Sequence, residues 1–398
     1  MTPEKAAALL DPRKPQTVRL GIIGLGNMGS SHCRLLESID SITLSAVCDI
    51  DPVRLEKVVS RYGCPGYATA NELLRARVCD AILIATPHYD HTTIGIAALK
   101  AGYHLLVEKP ISVHKADCER LIQAHQLGDK QVFAAMFNQR TNKHYQQIKH
   151  LIDSGELGEI RRVSWTITDW FRTQRYYDSG GWRATWAGEG GGVLLNQCPH
   201  QLDLLHWLFG MPTALTAQGT VAKHHAIEVE DEVTCFLQYA NGATGVFTTS
   251  TGEAPGINRL EIAAERGLLV YDTADGKITF LQNDTTVTEA IRDNGPFEKP
   301  KTTRIEFDIL DTGGQHAEVL ENFAAAILHG TQVLATGEEG IHSVELANAM
   351  IYSALKKQPV TLPINAQRYA NFLKRLIRGS TLRKPETNTE ITDLTGSF

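Results

Sequence analysis

Residues 18–29 read "VRLGIIGLGNMG", and this stretch decides the fold of the first half of the chain. Val18 to Gly24 is short, apolar and β-branched, as a strand buried on both faces of a parallel sheet must be. It runs into Gly24-Leu25-Gly26-Asn27-Met28-Gly29, a G-x-G-x-x-G turn, and a helical stretch begins at about Met28. Glycines in that turn permit a tight bend and let a pyrophosphate approach the backbone. The helix N-terminus then offers free N–H groups and a partial positive charge. Alone the pattern is weak. After a strand, before a helix and with Asp49 about 20 residues further on, it is a dinucleotide fingerprint. Gly24, Gly26, Asn27, Met28 and Gly29 are therefore candidate cofactor contacts, and Asp49 is the candidate acceptor for the adenosine ribose hydroxyls. A carboxylate there repels a 2′-phosphate, so NAD is expected over NADP. Arg54, nearby in sequence, is a further candidate contact and keeps NADP open as the less favoured cofactor.

The alternation continues outward from this turn. "ITLSAVCD" (42–49) is a second strand, and "DPVRLEKVVSRYG" (51–63) a helix with Asp51 as cap and Pro52 at its first position. "AILIAT" (81–86), "HLLVEKP" (104–110) and "QVFAAMF" (131–137) are further strands with helical segments between them. Strands alternating with helices predict an α/β, doubly wound parallel sheet covered on both faces. From about Thr141 the pattern changes. "EIRRVSWTITDW", "DEVTCFLQY", "GATGVFTTS", "RLEIAAERGLLVYD", "KITFLQN" and "TRIEFDI" alternate at period two, with Asn-Gly, Arg-Gly and Asp-Gly turns. They predict an α+β domain on a large, mostly antiparallel sheet. Two late helices, around "QHAEVLENFAAAILHG" and "GEEGIHSVELANAMIYSALKK", are expected to pack against it. The expected division is an extension at 1–16, a dinucleotide-binding domain at 17–140, a substrate-binding and oligomerisation domain at 141–360, and a basic helix with a polar tail at 361–398.

Composition limits the function classes. A chain of 398 residues implies more than one domain, and 42% hydrophobic with 21% charged residues is ordinary for a globular protein. A net charge of −6 leaves no basic footprint for nucleic acid. No stretch approaches the ~20 apolar residues of a membrane span, and the N-terminus lacks the apolar core of a secretion signal. The seven cysteines are scattered, odd in number and form no C-x-x-C pair, which fits reduced thiols in the cytoplasm. No histidine–carboxylate set has convincing metal spacing.

"ATPHYDH" (85–91) and "EKP" (108–110) join the glycine turn and "GGGVLLNQCPHQLDLLHWLFG" (190–210) in one ordered set. With them the chain resembles the Gfo/Idh/MocA oxidoreductases from about Val18 to about Lys357. The resemblance implies hydride transfer between NAD and a C–OH/C=O centre of a sugar, glycoside or cyclitol. It also implies assembly through the second domain's sheet, as a homodimer or homotetramer. Lys109 ends a parallel strand at the carboxyl edge, where such sheets bind ligands. A lysine there can hydrogen-bond a reacting oxygen and, with a depressed pKa, exchange a proton with it. The resemblance makes Lys109 the catalytic lysine. Thr86, Pro87, His88, His91 and Glu108 lie near the expected path of the cofactor; His91 is a candidate helix cap or dinucleotide contact. Arg140, after the fifth strand, is a candidate neighbour of nicotinamide or substrate.

In 190–210, Asn196, His200, Asp203 and Trp207 fall on one side of a helix expected to start near Asn196. The resemblance places His200 beside the substrate as a proton-transfer partner, with Asp203 in support; the bland reading of His200 is a hydrogen-bonded core histidine. Many members carry aspartate where this chain has Asn196. An amide accepts no proton, so either Lys109 and His200 share the acid–base work or Lys109 carries it. Asn196 itself reads as a helix N-cap, a substrate contact or both. "DWFRTQRYYDSGGWRATWAGEG" (169–190) is far more aromatic than the chain's 7% average. Arginine forks and aromatic plates suit carbohydrates, so Tyr176, Trp182, Arg172 and Arg183 are candidate substrate contacts. An oligomer contact is the alternative, because the same residue types enrich interfaces. Two rival functions stay open: glycoside cleavage through transient oxidation by NAD, and a non-catalytic NAD-binding sugar sensor.

Overall fold

The computed structural model describes residues 17–128, 130–382 and 384. The residues form two compact units, one of 17–141 with 314–341, the other of 142–313 with the described residues from 342 onward. The expected extension at 1–16 and the polar tail beyond 384 lie outside the described residues.

The first unit runs β1 (Val18–Ile23), α1 (Asn27–Leu35), β2 (Ile42–Cys48), α2 (Pro52–Tyr62), β3 (Gly66–Tyr67), α3 (Ala70–Ala76), β4 (Ala81–Ile84), α4 (His88–Lys100), β5 (His104–Val107), α5 (Lys115–Gln126) and β6 (Phe133–Ala135). The strands order β3-β2-β1-β4-β5-β6, and all pairs are parallel. This is the doubly wound sheet expected from the alternation. Leu20, Ile22, Ile82, Leu83, Leu105 and Leu106 are fully buried, as central parallel strands require. Asp51 caps α2 by accepting from the N–H groups of Val53 and Arg54, and Pro52 opens it.

The second unit contains α6 (Lys143–Asp153), β7 (Ile160–Ile167), α7 (Gln174–Asp178), α8 (Pro199–Phe209), β8 (Ala214–Val221), β9 (Glu230–Gln238), β10 (Thr244–Ser250), β11 (Asn258–Ala264), β12 (Gly267–Asp272), β13 (Lys277–Asn283), α9 (Val287–Asp293) and β14 (Thr302–Asp308). After α10 (Gln315–His329) come α11 (Gly340–Lys356), β15 (Val360–Thr361) and α12 (Ala366–Gly379). Nine strands form one sheet in the order β14-β13-β12-β11-β7-β10-β9-β8-β15. Every pair is antiparallel except β7 with β10. Val233, Cys235 and Leu237 face the core while Thr234, Phe236 and Gln238 face out, the period-two pattern of a sheet covered on one side.

One packing expectation is corrected. Helix α11 does lie on the nine-stranded sheet: the Ala217 N–H of β8 donates to Ser353 Oγ at 2.9 Å. Helix α10 does not. Its Val319, Leu320, Phe323 and Ala324 share a buried cluster with Leu20, Ile22, Leu83 and Leu106 of the parallel sheet. The chain then stays with that sheet, Gly337 N–H donating to Phe133 O at 2.9 Å. An apolar helical stripe states that it needs a partner face, and several faces here would satisfy it.

Candidate active site

The glycine turn meets the demands of a dinucleotide. Gly24 has φ +92°, and a Cβ on Gly29 would lie 1.8 Å from Gly24 O, so the strand and the helix can only pass this closely without one. A Cβ on Gly26 would meet nothing within 4 Å, so this face of the turn is open. Gly26 is also the N-cap of α1, without a side-chain bond to the first turn; those N–H groups are the donors a pyrophosphate uses. Asp49 is buried, and its two oxygens accept from Leu25 N–H at 2.6 Å and Asp51 N–H at 2.8 Å. The carboxylate is thereby fixed beside the turn, and each oxygen keeps a lone pair for a ribose hydroxyl. Arg54 is half exposed, with Nε 3.6 Å from Asp51 Oδ2. The residues present fit NAD.

The carboxyl edge of the sheet is built around buried polar groups. His91 is 1% exposed, inside α4 rather than at its start. Its Nε2 lies 2.8 Å from Thr86 O and its Nδ1 2.8 Å from Pro110 O. It thus ties the segments after β4 and β5 together, and it neither caps the helix nor presents its ring nitrogens to a ligand. His88 is the first residue of that helix, after Pro87, and is buried.

Glu108 precedes Lys109 and is 4% exposed. His32 Nε2, from the helix that follows the glycine turn, donates to Glu108 Oε1 at 2.6 Å. Burial by itself would raise the Glu108 carboxyl. The bond from His32 and the charges of His32, His316 and Lys109 outweigh it and hold the group down at about 2. His316, on α10, packs edge-on to His32 with ring centroids 5.7 Å apart. Burial, against the pull of Glu108, lowers its pKa to about 4. Arg140 is 2% exposed and donates through Nη1 to Leu334 O at 3.1 Å and Glu339 Oε2 at 3.2 Å. Through Nη1 it pins the returning segment.

In the second unit, α8 starts at Pro199 with Cys198 as its N-cap, three residues later than expected. Proline at the first helical position loses no bond there. His200 and Asp203 remain on one face, a turn apart, and both are buried. Asn196 falls in the preceding turns and is not the cap. Its Nδ2 donates to Glu189 Oε1, and its Oδ1 accepts from Tyr176 OH at 3.2 Å and Gln197 Nε2 at 3.2 Å. Arg183 Nη1 in turn donates to Tyr176 OH at 2.9 Å. Glu189 is fully buried; burial, against the pull of Arg183, raises its pKa.

Beneath this network, Glu230 Oε1 accepts from Gly192 N–H at 2.8 Å and Leu194 N–H at 3.3 Å, holding the glycine run against β9. A Cβ on Gly192 would sit 1.9 Å from Glu230 O. Burial, with Glu189 nearby, pushes the Glu230 carboxyl up to about 7.

The aromatic segment 169–190 divides in two. Tyr177 and Trp186 are buried core residues, so they are not available as plates for a sugar. Trp170, Tyr176 and Trp182 are half-buried. The Arg183 guanidinium lies 4.7 Å from the Tyr176 ring centroid and 4.6 Å from that of Trp182, and Arg172 lies 5.2 Å from Tyr176. Three of the four proposed substrate contacts thus meet at Tyr176, and Trp182 joins them through Arg183.

Comparison with known proteins decides the family. The profile of an oxidoreductase family with an NAD-binding Rossmann fold matches residues 18–136, and that of the GFO/IDH/MocA C-terminal domain matches residues 145–270. The chain belongs to the Gfo/Idh/MocA oxidoreductase family. Inositol 2-dehydrogenase of Rhizobium meliloti is 26% identical over 353 residues, covering 87% of this chain and 99% of that one. Myo-inositol 2-dehydrogenase of Thermotoga maritima is also 26% identical, covering 87% and 98%. The WlbA dehydrogenase of Chromobacterium violaceum, solved with NADH and UDP-GlcNAcA, superimposes with a TM-score of 0.76 at 28% identity, over 88% of this chain and 97% of that one.

Within this Gfo/Idh/MocA chain, His32, Glu189, Gln197, Glu230 and His316 are site neighbours that sequence reasoning missed. Glu189 lies inside the aromatic segment, and its carboxylate in an otherwise glycine-rich run was the available signal. His316 had none, because its partners are more than 200 residues away in sequence.

Proposed function

We propose that this chain is an NAD-dependent dehydrogenase that oxidises a secondary alcohol of a sugar, glycoside or cyclitol, or reduces the matching ketone. The observation that carries the reading is the bond from His32 to Glu108 at 2.6 Å, which joins the helix of the glycine turn to the residue beside Lys109. NAD, when bound, supplies the hydride acceptor at nicotinamide C4. Lys109 Nζ takes the hydroxyl proton of the alcohol and returns it in the reverse direction. His200 is the second proton-transfer group, with Asp203 one helical turn away to orient its ring. Asn196 and Tyr176 hydrogen-bond sugar hydroxyls, while Trp182, Arg172 and Arg183 shape the pocket wall around them.

Phe236 and Val246 are exposed at 42% and 38% on neighbouring strands β9 and β10. They support assembly through the outer face of the nine-stranded sheet as a homodimer or homotetramer. All seven cysteines are buried thiols outside any disulfide, in keeping with a cytoplasmic enzyme. No helix among the described residues is long and apolar enough to cross a membrane.

The test is a panel of inositols, sugars and glycosides incubated with NAD or NADP, read by the absorbance of the reduced nicotinamide. The expected result is turnover of at least one polyol with NAD preferred. Lys109→Ala should bind NAD normally and lose roughly 10²–10⁴-fold in turnover. Unchanged turnover in that variant, or glycoside cleavage with no build-up of reduced cofactor, would overturn this reading.

A further inference from the structure

The segment after Lys357 lies outside the family resemblance read from the sequence, yet it is built firmly into the second unit. β15 pairs with β8 at the sheet edge, Val360 opposite Leu215. Ile364 N–H donates to Glu345 Oε1 at 2.8 Å. Asn365 then caps α12 by accepting from Arg368 N–H at 2.8 Å. The helix buries Tyr369, Ala370, Phe372 and Leu373, and the Phe372 ring sits 5.0 Å from Tyr352 of α11. At 1.5 Å per residue it carries the chain about 20 Å from the sheet edge.

What lies at its far end is the aromatic segment 169–190. Ser380 Oγ donates to Glu228 Oε2, and Glu228 Oε1 accepts from Trp186 N–H at 2.9 Å. Lys384 Nζ donates to Tyr177 O at 2.6 Å. The ammonium stands among Glu189, Asp178 and Glu228, with Arg183 also close; half burial lowers its pKa against the pull of these carboxylates. Glu189 is the carboxylate that receives Asn196 Nδ2, and Tyr177 is the chain neighbour of Tyr176. The other edge of the segment is held by His225, whose Nε2 lies 2.8 Å from Arg172 O. The segment is thus clamped from one side by its own domain and from the other by the added C-terminal residues.

We propose that residues 360–382 and Lys384 form a strap whose Ser380 and Lys384 position the aromatic segment and thereby set the affinity for substrate. Neither residue touches reacting atoms in this scheme; both are positioning residues that act through Glu228, Tyr177 and Glu189. The inference rests on reading 169–190 as the substrate-facing segment.

The test compares the full-length chain with Lys384→Met, with Ser380→Ala and with the double variant, and uses Lys384→Arg as the conservative rescue. Three of the five tryptophans lie in the segment (Trp170, Trp182 and Trp186), so acrylamide quenching of tryptophan fluorescence reports its mobility without any substrate. Loss of one charge-assisted bond should raise KM for a turned-over polyol roughly tenfold. kcat should stay within about twofold, KM for NAD should not change, and quenching should increase. Lys384→Arg should restore both KM and quenching. A double variant with wild-type KM and wild-type quenching would overturn the strap, as would an equal rise in KM for NAD. Increased quenching with unchanged KM would overturn its role in affinity. If the wild-type chain turns over no polyol at all, the dehydrogenase reading fails, and the quenching series alone decides whether the strap holds the segment.

Discussion

His32 Nε2 donates to Glu108 Oε1 at 2.6 Å with both side chains buried. The pair couples two sites that are far apart in sequence, the helix behind the glycine cradle and the strand end that carries Lys109. Breaking a buried pair by removing one partner strands the other charge. His32→Leu should therefore lower stability by about 3–5 kcal/mol. His32→Leu with Glu108→Gln should recover part of that loss, because no carboxylate is then left unpaired. Thermal unfolding of the two variants beside the wild type checks the order.

His316 makes stability depend on pH on the acid side. Its folded value, about 4, is below the ordinary 6.5, so the unfolded chain binds more protons between those values. Stability is fully present above about 6.5 and falls as pH drops through 4, by up to about 3 kcal/mol. The urea midpoint of the wild type minus that of His316→Gln should accordingly fall between pH 7 and pH 4.5; a difference that does not move with pH would assign the dependence to other groups.

Glu230 works in the opposite sense. Burial raises its carboxyl from 4.5 to about 7, so the folded state holds the proton more tightly. The stability this contributes is present below about 4.5 and is lost as pH rises through 7, on the order of 3 kcal/mol. Glu230→Gln keeps an acceptor for Gly192 and Leu194 N–H without the charge. It should be close to wild type at pH 5 and more stable at pH 8, measured by thermal unfolding at both values.

Asn196 donates to buried Glu189, which gives a sharp expectation for an aspartate in its place. Asn196→Asp sets two carboxylates against each other, and one of them must hold a proton. The single variant should lose about 1–3 kcal/mol of stability and gain no turnover at neutral pH. Asn196→Asp with Glu189→Gln swaps the two groups and should regain most of the stability. A double-mutant cycle in stability measures the coupling.

Much of this molecule was legible in the residues in order. The turn at Gly24–Gly29, the Asp51 cap and the Asn-Gly, Arg-Gly and Asp-Gly hairpin turns rest on local backbone geometry. Neighbours in the chain suffice to read them, and the structure has φ +86°, +135° and +64° at Gly242, Gly267 and Gly276. Strand β8 was missed because "ALTAQGTV" alternates Leu215, Ala217, Gly219 and Val221 with polar residues, and the small Ala217 and Gly219 leave too little apolar contrast to mark a strand. The start of α8 was read three residues early because the glycine-rich lead-in bends into turns held by Glu230, a residue of a different strand.

The sequence by itself determined the local elements and the dinucleotide turn. These depend on spacing along the chain, where a side chain's type and its near neighbours set the outcome. Only the tertiary structure decided which face α10 would cover, that His32 and His316 would flank Glu108, and that Lys384 would reach Tyr177. Those contacts join residues from 76 to more than 200 positions apart. A buried charge takes whatever partner packing brings within reach, and spacing along the chain does not reveal which partner that is.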